Sequence, residues 1–264
     1  MPFTLHPDIE AAIAAITGGQ APPPSPQAGD VATRRALMLP MWQALMANVP
    51  THYVSESGTP FLAVDYRLAP EARAPTLVHD AYAALVYLSM NASNLGVDPL
   101  RIGIFGDSAG AGIAASLAYY AKQNKGWPFI KKQILLYPML DDRNLTIDPE
   151  TAPFSIPWTV DDNKTGWGAL LNGKEGSDEV DPVDAPSRMT VEDARGLPPT
   201  YIDIGQLDIF ASETLEFVQK LGKAGVDCEF HLIPSMPHVF DAIAPKSAAV
   251  REVVAWRVRA IQSI

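Results

Sequence analysis

The ten residues Arg101-Ile102-Gly103-Ile104-Phe105-Gly106-Asp107-Ser108-Ala109-Gly110 constrain this chain more than any other stretch. An apolar run ends in Gly106-Asp107-Ser108-Ala109-Gly110, and Ile113 to Ala121 continues with helical composition. That order predicts a strand, a sharp turn carrying Ser108, and a helix. In a G-x-S-x-G turn the serine takes a strained backbone conformation that lifts its Oγ clear of the sheet. Small residues two positions to either side let strand and helix pass without collision. Gly106 and Gly110 fill those places. A tight turn without chemistry is the plain alternative, so the surrounding chain has to decide.

With 264 residues the chain can bury a substantial core, as one large α/β domain or two small ones. Hydrophobic content of 47% and charged content of 19% are those of an ordinary globular protein. A net charge of −10 argues against nucleic acid and against an anionic membrane surface, both of which need basic patches. Cys228 is the single cysteine and cannot form an internal disulfide, which favours a reducing compartment. The opening Met1-Pro2-Phe3-Thr4-Leu5-His6 lacks the basic and apolar regions of a signal peptide, and no apolar run is long enough to span a bilayer. The expectation is a soluble, cytoplasmic protein without a membrane span.

Residues 7–17 predict a helix with Ile9, Ile13 and Ile16 on one face. Residues 18–29 form a proline-rich connector. Asp30 is placed to cap a second helix running to about Asn48, with Leu37, Met41 and Leu45 spaced four apart and Pro40 inside it. Phe61–Tyr66 predicts a buried strand, and Asp80–Met90 a helix. Short apolar runs at 132–138, 199–205 and 228–233 predict further strands, with helices over 212–225 and 246–263. In the last helix Val250, Val254, Val258 and Ile261 share one side. Residues 141–196, rich in Asp, Pro and Gly, predict an irregular insertion. Strands alternating with helices imply a parallel sheet covered on both faces.

In such folds function collects in loops at the carboxyl ends of the strands. Ser108 follows the 101–105 run, Asp208 follows 199–205, and His238 follows 228–233. A serine hydroxyl is a weak nucleophile until a base takes its proton. Histidine, with a reference pKa of roughly 6.5, can accept and return one near neutrality. Asp208 would fix the tautomer of that histidine and stabilise its cation. His6 and His52 precede the core, His79 begins a helix and His231 lies within a strand, so each reads as structural. So do Asp203, inside a strand, and Asp227, just before one. No His or Cys pair has ligand spacing, so no metal is expected. Cys228 reads as a small buried hydrophobe.

Together these residues resemble the hormone-sensitive lipase family of α/β-hydrolases, in its bacterial and fungal carboxylesterase branch. The matching text is Val64-Asp-Tyr-Arg-Leu-Ala-Pro-Glu71, Asp80-Ala-Tyr-Ala-Ala-Leu85, Leu95-Gly-Val-Asp-Pro99, Gly106-Asp-Ser-Ala-Gly110, Tyr137-Pro-Met-Leu140, Leu207-Asp-Ile-Phe210 and Pro237-His-Val-Phe240. The resemblance runs from about Ser57 to the end of the chain. It implies an α/β-hydrolase fold, a mostly parallel sheet flanked by helices, as a single domain over 1–264. Residues 1–50 and 141–196 would form a helical cap over the acyl and alcohol pockets. It further implies hydrolysis of short- to medium-chain acyl esters without a cofactor, through Ser108, Asp208 and His238. Ala109 would give a backbone N–H to the oxyanion, and Asp107, Ile209 and Val239 would stand near the substrate. Arg67 and Glu71 look structural. A small ester is the expected partner.

One departure is chemical. The family carries a His-Gly-Gly-Gly loop ahead of the Asp-Tyr-Arg-Leu-Ala-Pro-Glu strand, and its N–H groups supply much of the oxyanion hole. This chain has no such run: Gly18-Gly19 falls between the two cap helices. The sheet is therefore expected to be truncated at its N-terminal strands, leaving a gap between the 61–66 and 101–105 strands or a direct pairing of the two. Ala109 N–H would lack its companions unless the cap or the second subunit of a homodimer supplies one. An impaired esterase and a non-catalytic binder of small ligands on the same scaffold both follow from this pattern.

Overall fold

Ile134, Leu135 and Leu136 are consecutive and almost fully buried. Because strand neighbours point to opposite faces, such a run requires cover on both sides of the sheet. The computed structural model describes residues 3–20, 25–46 and 49–264. Its sheet has four strands in the order β1 (Gly103–Asp107), β2 (Lys132–Leu136), β3 (Thr200–Gly205) and β4 (Cys228–Ile233). All neighbouring pairs are parallel, with Asp107 opposite Leu136, Leu136 opposite Asp203 and Gly205 opposite Ile233. The loops after all four strands therefore open at one end of the sheet.

Two apolar layers enclose it. On one face Ile104, Leu135 and Ile202 meet α4 (Thr76–Met90), α6 (Ala109–Gln123) and α9 (Ala211–Ala224), through Leu85, Leu117 and Phe217. On the other, Ile134, Leu136 and Tyr201 meet α10 (Phe240–Ile243) and α11 (Ala248–Gln262). Ile9 of α1 (Pro7–Thr17) and Tyr53 of α3 (Val49–Ser57) complete this second layer. Gly225 ends α9 in the left-handed conformation, as a helix-stopping glycine does.

The N-terminal helices do not act as one unit. His6 N–H donates to Ser235 O at 2.9 Å, which fixes α1 beside the loop after β4. α2 (Val31–Met46) starts with Asp30 accepting from Thr33 N–H at 3.0 Å, and Pro40 lies inside it. Its Arg34 is buried and paired at 2.6 Å with Asp162 of α7 (Val160–Leu171). α3 packs on α11 instead. The expected end of α2 near Asn48 lies outside the described residues, as do the side chains of Met41 and Leu45.

Several expectations are corrected. Residues 61–66 form no strand: Phe61 and Tyr66 are partly buried while residues 62–65 are exposed. Among the described residues no backbone hydrogen bond joins this segment to β1. A strand exists only by pairing, and here the segment meets β1 through a ring contact, Phe61 lying 5.5 Å from Phe105 edge to face. The gap, not a direct pairing, is what forms. Ile16 and Leu37 point outward, at 65% and 56% exposure. Residues 141–196 are not irregular throughout. Thr159 and Asp162 make a reciprocal capping box that starts the twelve-residue α7, and Thr190 with Asp193 does the same for the short α8 (Val191–Ala194).

Candidate active site

Ser108 takes φ 50° and ψ −118°, a conformation that a side chain other than glycine adopts only under constraint. The constraints are visible. Its N–H donates to Leu136 O at 2.9 Å, and its carbonyl accepts from Ala111, Gly112 and Met139 N–H at 3.1 Å each. A Cβ on Gly106 would lie 2.3 Å from Gly110 O, so no side chain fits there. Gly110 differs from expectation, since its nearest atom would be Asp107 Oδ1 at 3.5 Å, an ordinary contact. The second close approach belongs instead to Gly112, where a Cβ would meet Met139 O at 2.2 Å.

His238 follows β4 and is 1% exposed. Its Nε2 is 3.0 Å from Ser108 Oγ and its Nδ1 is 2.7 Å from Asp208 Oδ2. A carboxylate can only accept, so Nδ1–H donates to Asp208 and Nε2 is free to accept from the serine. Tyr137 and Phe210 stand edge-on to the imidazole, each with ring centres 5.1 Å away. Asp208 is buried as well, and its other oxygen accepts from Phe210 N–H at 2.9 Å. The loops carrying Asp208 and His238 are zipped together by Gln206 N–H to Ile233 O and Leu207 N–H to Met236 O. Their closeness requires Gly205, where a Cβ would lie 2.2 Å from Met236 O.

Ala109 begins α6 and is exposed, and among the described residues its N–H has no backbone acceptor. The same holds for Gly110, so the first turn of α6 has backbone donors beside the serine that no carbonyl among the described residues occupies. Asp107 is largely enclosed, and burial, with Asp241 nearby, holds its carboxyl above the usual range. Ile209 and Val239 are packed in the core. Val239 has φ 49°, the left-handed region, which a β-branched residue occupies only when its surroundings hold it there. Arg67 is bound to Asp80 at 2.7 Å and Glu71 to Arg35 at 2.7 Å, so both tie the 67–71 loop to neighbouring helices. Among the described residues no group of His, Cys, Asp and Glu is arranged to hold a metal. No helix among them is long and apolar enough to cross a membrane.

Sequence reasoning missed Gly112, Gly205 and a buried polar cluster behind His238. The glycines carried no signal, because their necessity comes from carbonyls distant in the chain. The cluster is centred on Arg257, which is fully buried. Its spacing from Val250, Val253, Ala260 and Ile261 places it on the buried stripe of α11, a position where a cation without a partner would not be tolerated.

The sequence model of the family described as an α/β hydrolase fold matches residues 41–242. The carboxylesterase NlhH of Mycobacterium tuberculosis is 35% identical over 181 residues, which are 67% of this chain and 55% of the relative. The crystal structure of esterase LipW from Mycobacterium marinum superposes with a TM-score of 0.70 at 31% identity, covering 80% of this chain and 65% of that one. A bacterial heroin esterase does so with a TM-score of 0.68 at 36% identity, over 75% and 62% of the two chains. The chain spans about half the length of the curated relatives it matches. With the serine turn, the parallel sheet and these likenesses taken together, the chain belongs to the hormone-sensitive lipase-like family of α/β-hydrolases.

Proposed function

We propose that the protein is a serine carboxylesterase acting on short- to medium-chain acyl esters, with Ser108 as nucleophile, His238 as base and Asp208 as its orienting partner. The observation that carries this reading is the continuous chain Ser108 Oγ, His238 Nε2, His238 Nδ1, Asp208 Oδ2, with links of 3.0 and 2.7 Å. Its likeness to carboxylesterases and esterases supports the reaction class. As His238 Nε2 takes the hydroxyl proton, Ser108 Oγ bonds to the ester carbonyl carbon and the carbonyl electron pair moves to oxygen. Collapse of that tetrahedral anion breaks the bond to the alcohol, which leaves with the proton from His238. Water then attacks the acyl-serine, His238 takes its proton, and the acid departs as the serine recovers its hydrogen. Asp208 accepts from Nδ1–H throughout and keeps the tautomer correct.

The anion formed in each half needs donors. Ala109 N–H is suited to be one, and the residues 1–50 and 141–196 would shape the acyl and alcohol sides as a cap. Loss of a single oxyanion donor costs about 2.7–4 kcal/mol in the transition state. Turnover is therefore expected to be slow against p-nitrophenyl acetate or butyrate, yet abolished by Ser108→Ala. A fluorophosphonate should label Ser108 stoichiometrically. No labelling, together with hydrolysis no greater than in the Ser108→Ala protein, would refute the reading. The lack of a His-Gly-Gly-Gly run in the sequence favours one second reading, a small-ligand binder without turnover, in which ester analogues raise the melting temperature and are released unchanged. The lone thiol Cys228 fits a cytoplasmic setting.

A further inference from the structure

Arg257 sits at 0% exposure on the face of α11 turned toward the sheet. Its guanidinium donates twice to Asp203 of β3 at 2.7 Å, once to Asp241 of α10 at 2.6 Å, and once to the Tyr53 hydroxyl at 2.9 Å. It also lies over the Tyr137 ring at 5.4 Å and the Phe240 ring at 5.3 Å. Burying an ion pair contributes little to stability compared with apolar residues of the same volume, so stability alone does not account for this cluster.

Its geometry does point to a role. Asp241 lies three residues beyond His238, and between them Val239 is held at φ 49°. Tyr137, whose edge meets the His238 ring, is itself at φ 35°. Conformations of this kind persist only where the surroundings over-determine them. Arg257 touches both sides of the strained pair: Asp241 and Phe240 beyond Val239, and the ring of Tyr137. The same cation is anchored bidentately on β3, five residues before Asp208.

We infer that Arg257 is a positioning residue for His238. By holding Asp241 and the Tyr137 ring against β3 it keeps the left-handed turn at Val239 closed, and so sets the approach of His238 Nε2 to Ser108 Oγ. This rests on the esterase reading, but the contact chain exists whether or not the chain turns over an ester.

Two substitutions in the full chain separate this role from simple packing. Asp241→Leu cuts the tie to the histidine segment while leaving Arg257 neutralised by Asp203. Arg257→Lys keeps the charge but cannot span both carboxylates. Each is expected to lower kcat for p-nitrophenyl butyrate on the order of 10²-fold with KM unchanged, as for a misplacement of about 1 Å. Tyr53→Phe, which severs only the link to α3, should leave both constants as they are. The low-field proton resonance of the His238 Nδ1–H to Asp208 bond, assigned by its absence in His238→Ala, gives a readout independent of turnover. It should be present in the unsubstituted protein and broadened or lost in Asp241→Leu and Arg257→Lys. Retention of kcat and of this resonance in either folded variant would overturn the inference. If the unsubstituted protein shows the resonance but neither labelling nor turnover, the esterase reading fails, while loss of the resonance in the variants still supports the positioning role.

Discussion

Gly205 occupies the point where two loops that share no sequence signal come within van der Waals range. Its missing side chain lets the carbonyl of Met236 approach, and Asp208 and His238 follow from either side of that contact. The three nearest atoms, Met236 O and C and Pro237 O, all belong to backbone, so none can rotate away. Gly205→Ala is therefore expected to cost about 3 kcal/mol, the upper end of overpacking, read as a lower denaturant midpoint at unchanged slope. A change below about 1 kcal/mol would mean that the loops separate freely. Asp184 sets a different constraint. Burial, with Asp181 beside it, pushes its carboxyl from 3.8 up to about 6, and its Oδ1 has no partner. Between those two values the folded chain holds a proton that the unfolded chain has released. Stability therefore falls as pH rises through that window, and the whole penalty stands above it. Asp184→Asn removes the penalty. Its free energy of unfolding should exceed that of the unsubstituted protein at pH 8 by about 1 kcal/mol after discounting for solvent screening, and the difference should vanish near pH 4. An equal gain at both pH values would assign the effect to shape rather than charge.

Among the elements, β3, β4 and α9 were legible because local signals and long-range packing agree there: apolar runs of strand length, then a helix stopped by Gly225. The turn at Ser108 was legible for the same reason, and so was the order of Ser108, Asp208 and His238 along the strand ends. Two of the three failures share a physical cause. The Phe61–Tyr66 run has strand composition but no neighbour to bond to, and composition cannot report a missing partner. In α11 the apolar positions alone suggested a stripe through Val254 and Val258. The buried stripe instead runs through Val250, Val253, Arg257, Ala260 and Ile261, because Asp203 and Asp241 make a cation acceptable inside it. α7 was hidden by the acidic residues of its own N-terminus, which the capping box and helix dipole favour there. For residues 61–66 and for α11 a partner distant in the chain decides the outcome, whereas for α7 the deciding bonds are local, between Thr159 and Asp162.

Taken as a whole, the molecule is a four-stranded parallel sheet with its nucleophile candidate on an edge strand. Ser108 N–H reaches Leu136 O, so by the alternation of a parallel ladder Ile104 and Gly106 also face β2. The N–H and carbonyl of Phe105 then point to the open side, where residues 61–66 lie without pairing and expose Leu62 and Val64. At the opposite edge the bond from Gln206 N–H to Ile233 O sets the same alternation, and Phe230 faces away from β3. β2 and β3, with partners on both sides, have no such residues. Native-state amide exchange reads this directly, since an amide bonded only to water exchanges without unfolding. Ile104, Gly106 and the amides of β2 and β3 should exchange orders of magnitude more slowly than Phe105 and Phe230. If Phe105 were as protected as Ile104, a strand would have to occupy the open side of β1 in solution. The serine turn would then be supported from both flanks.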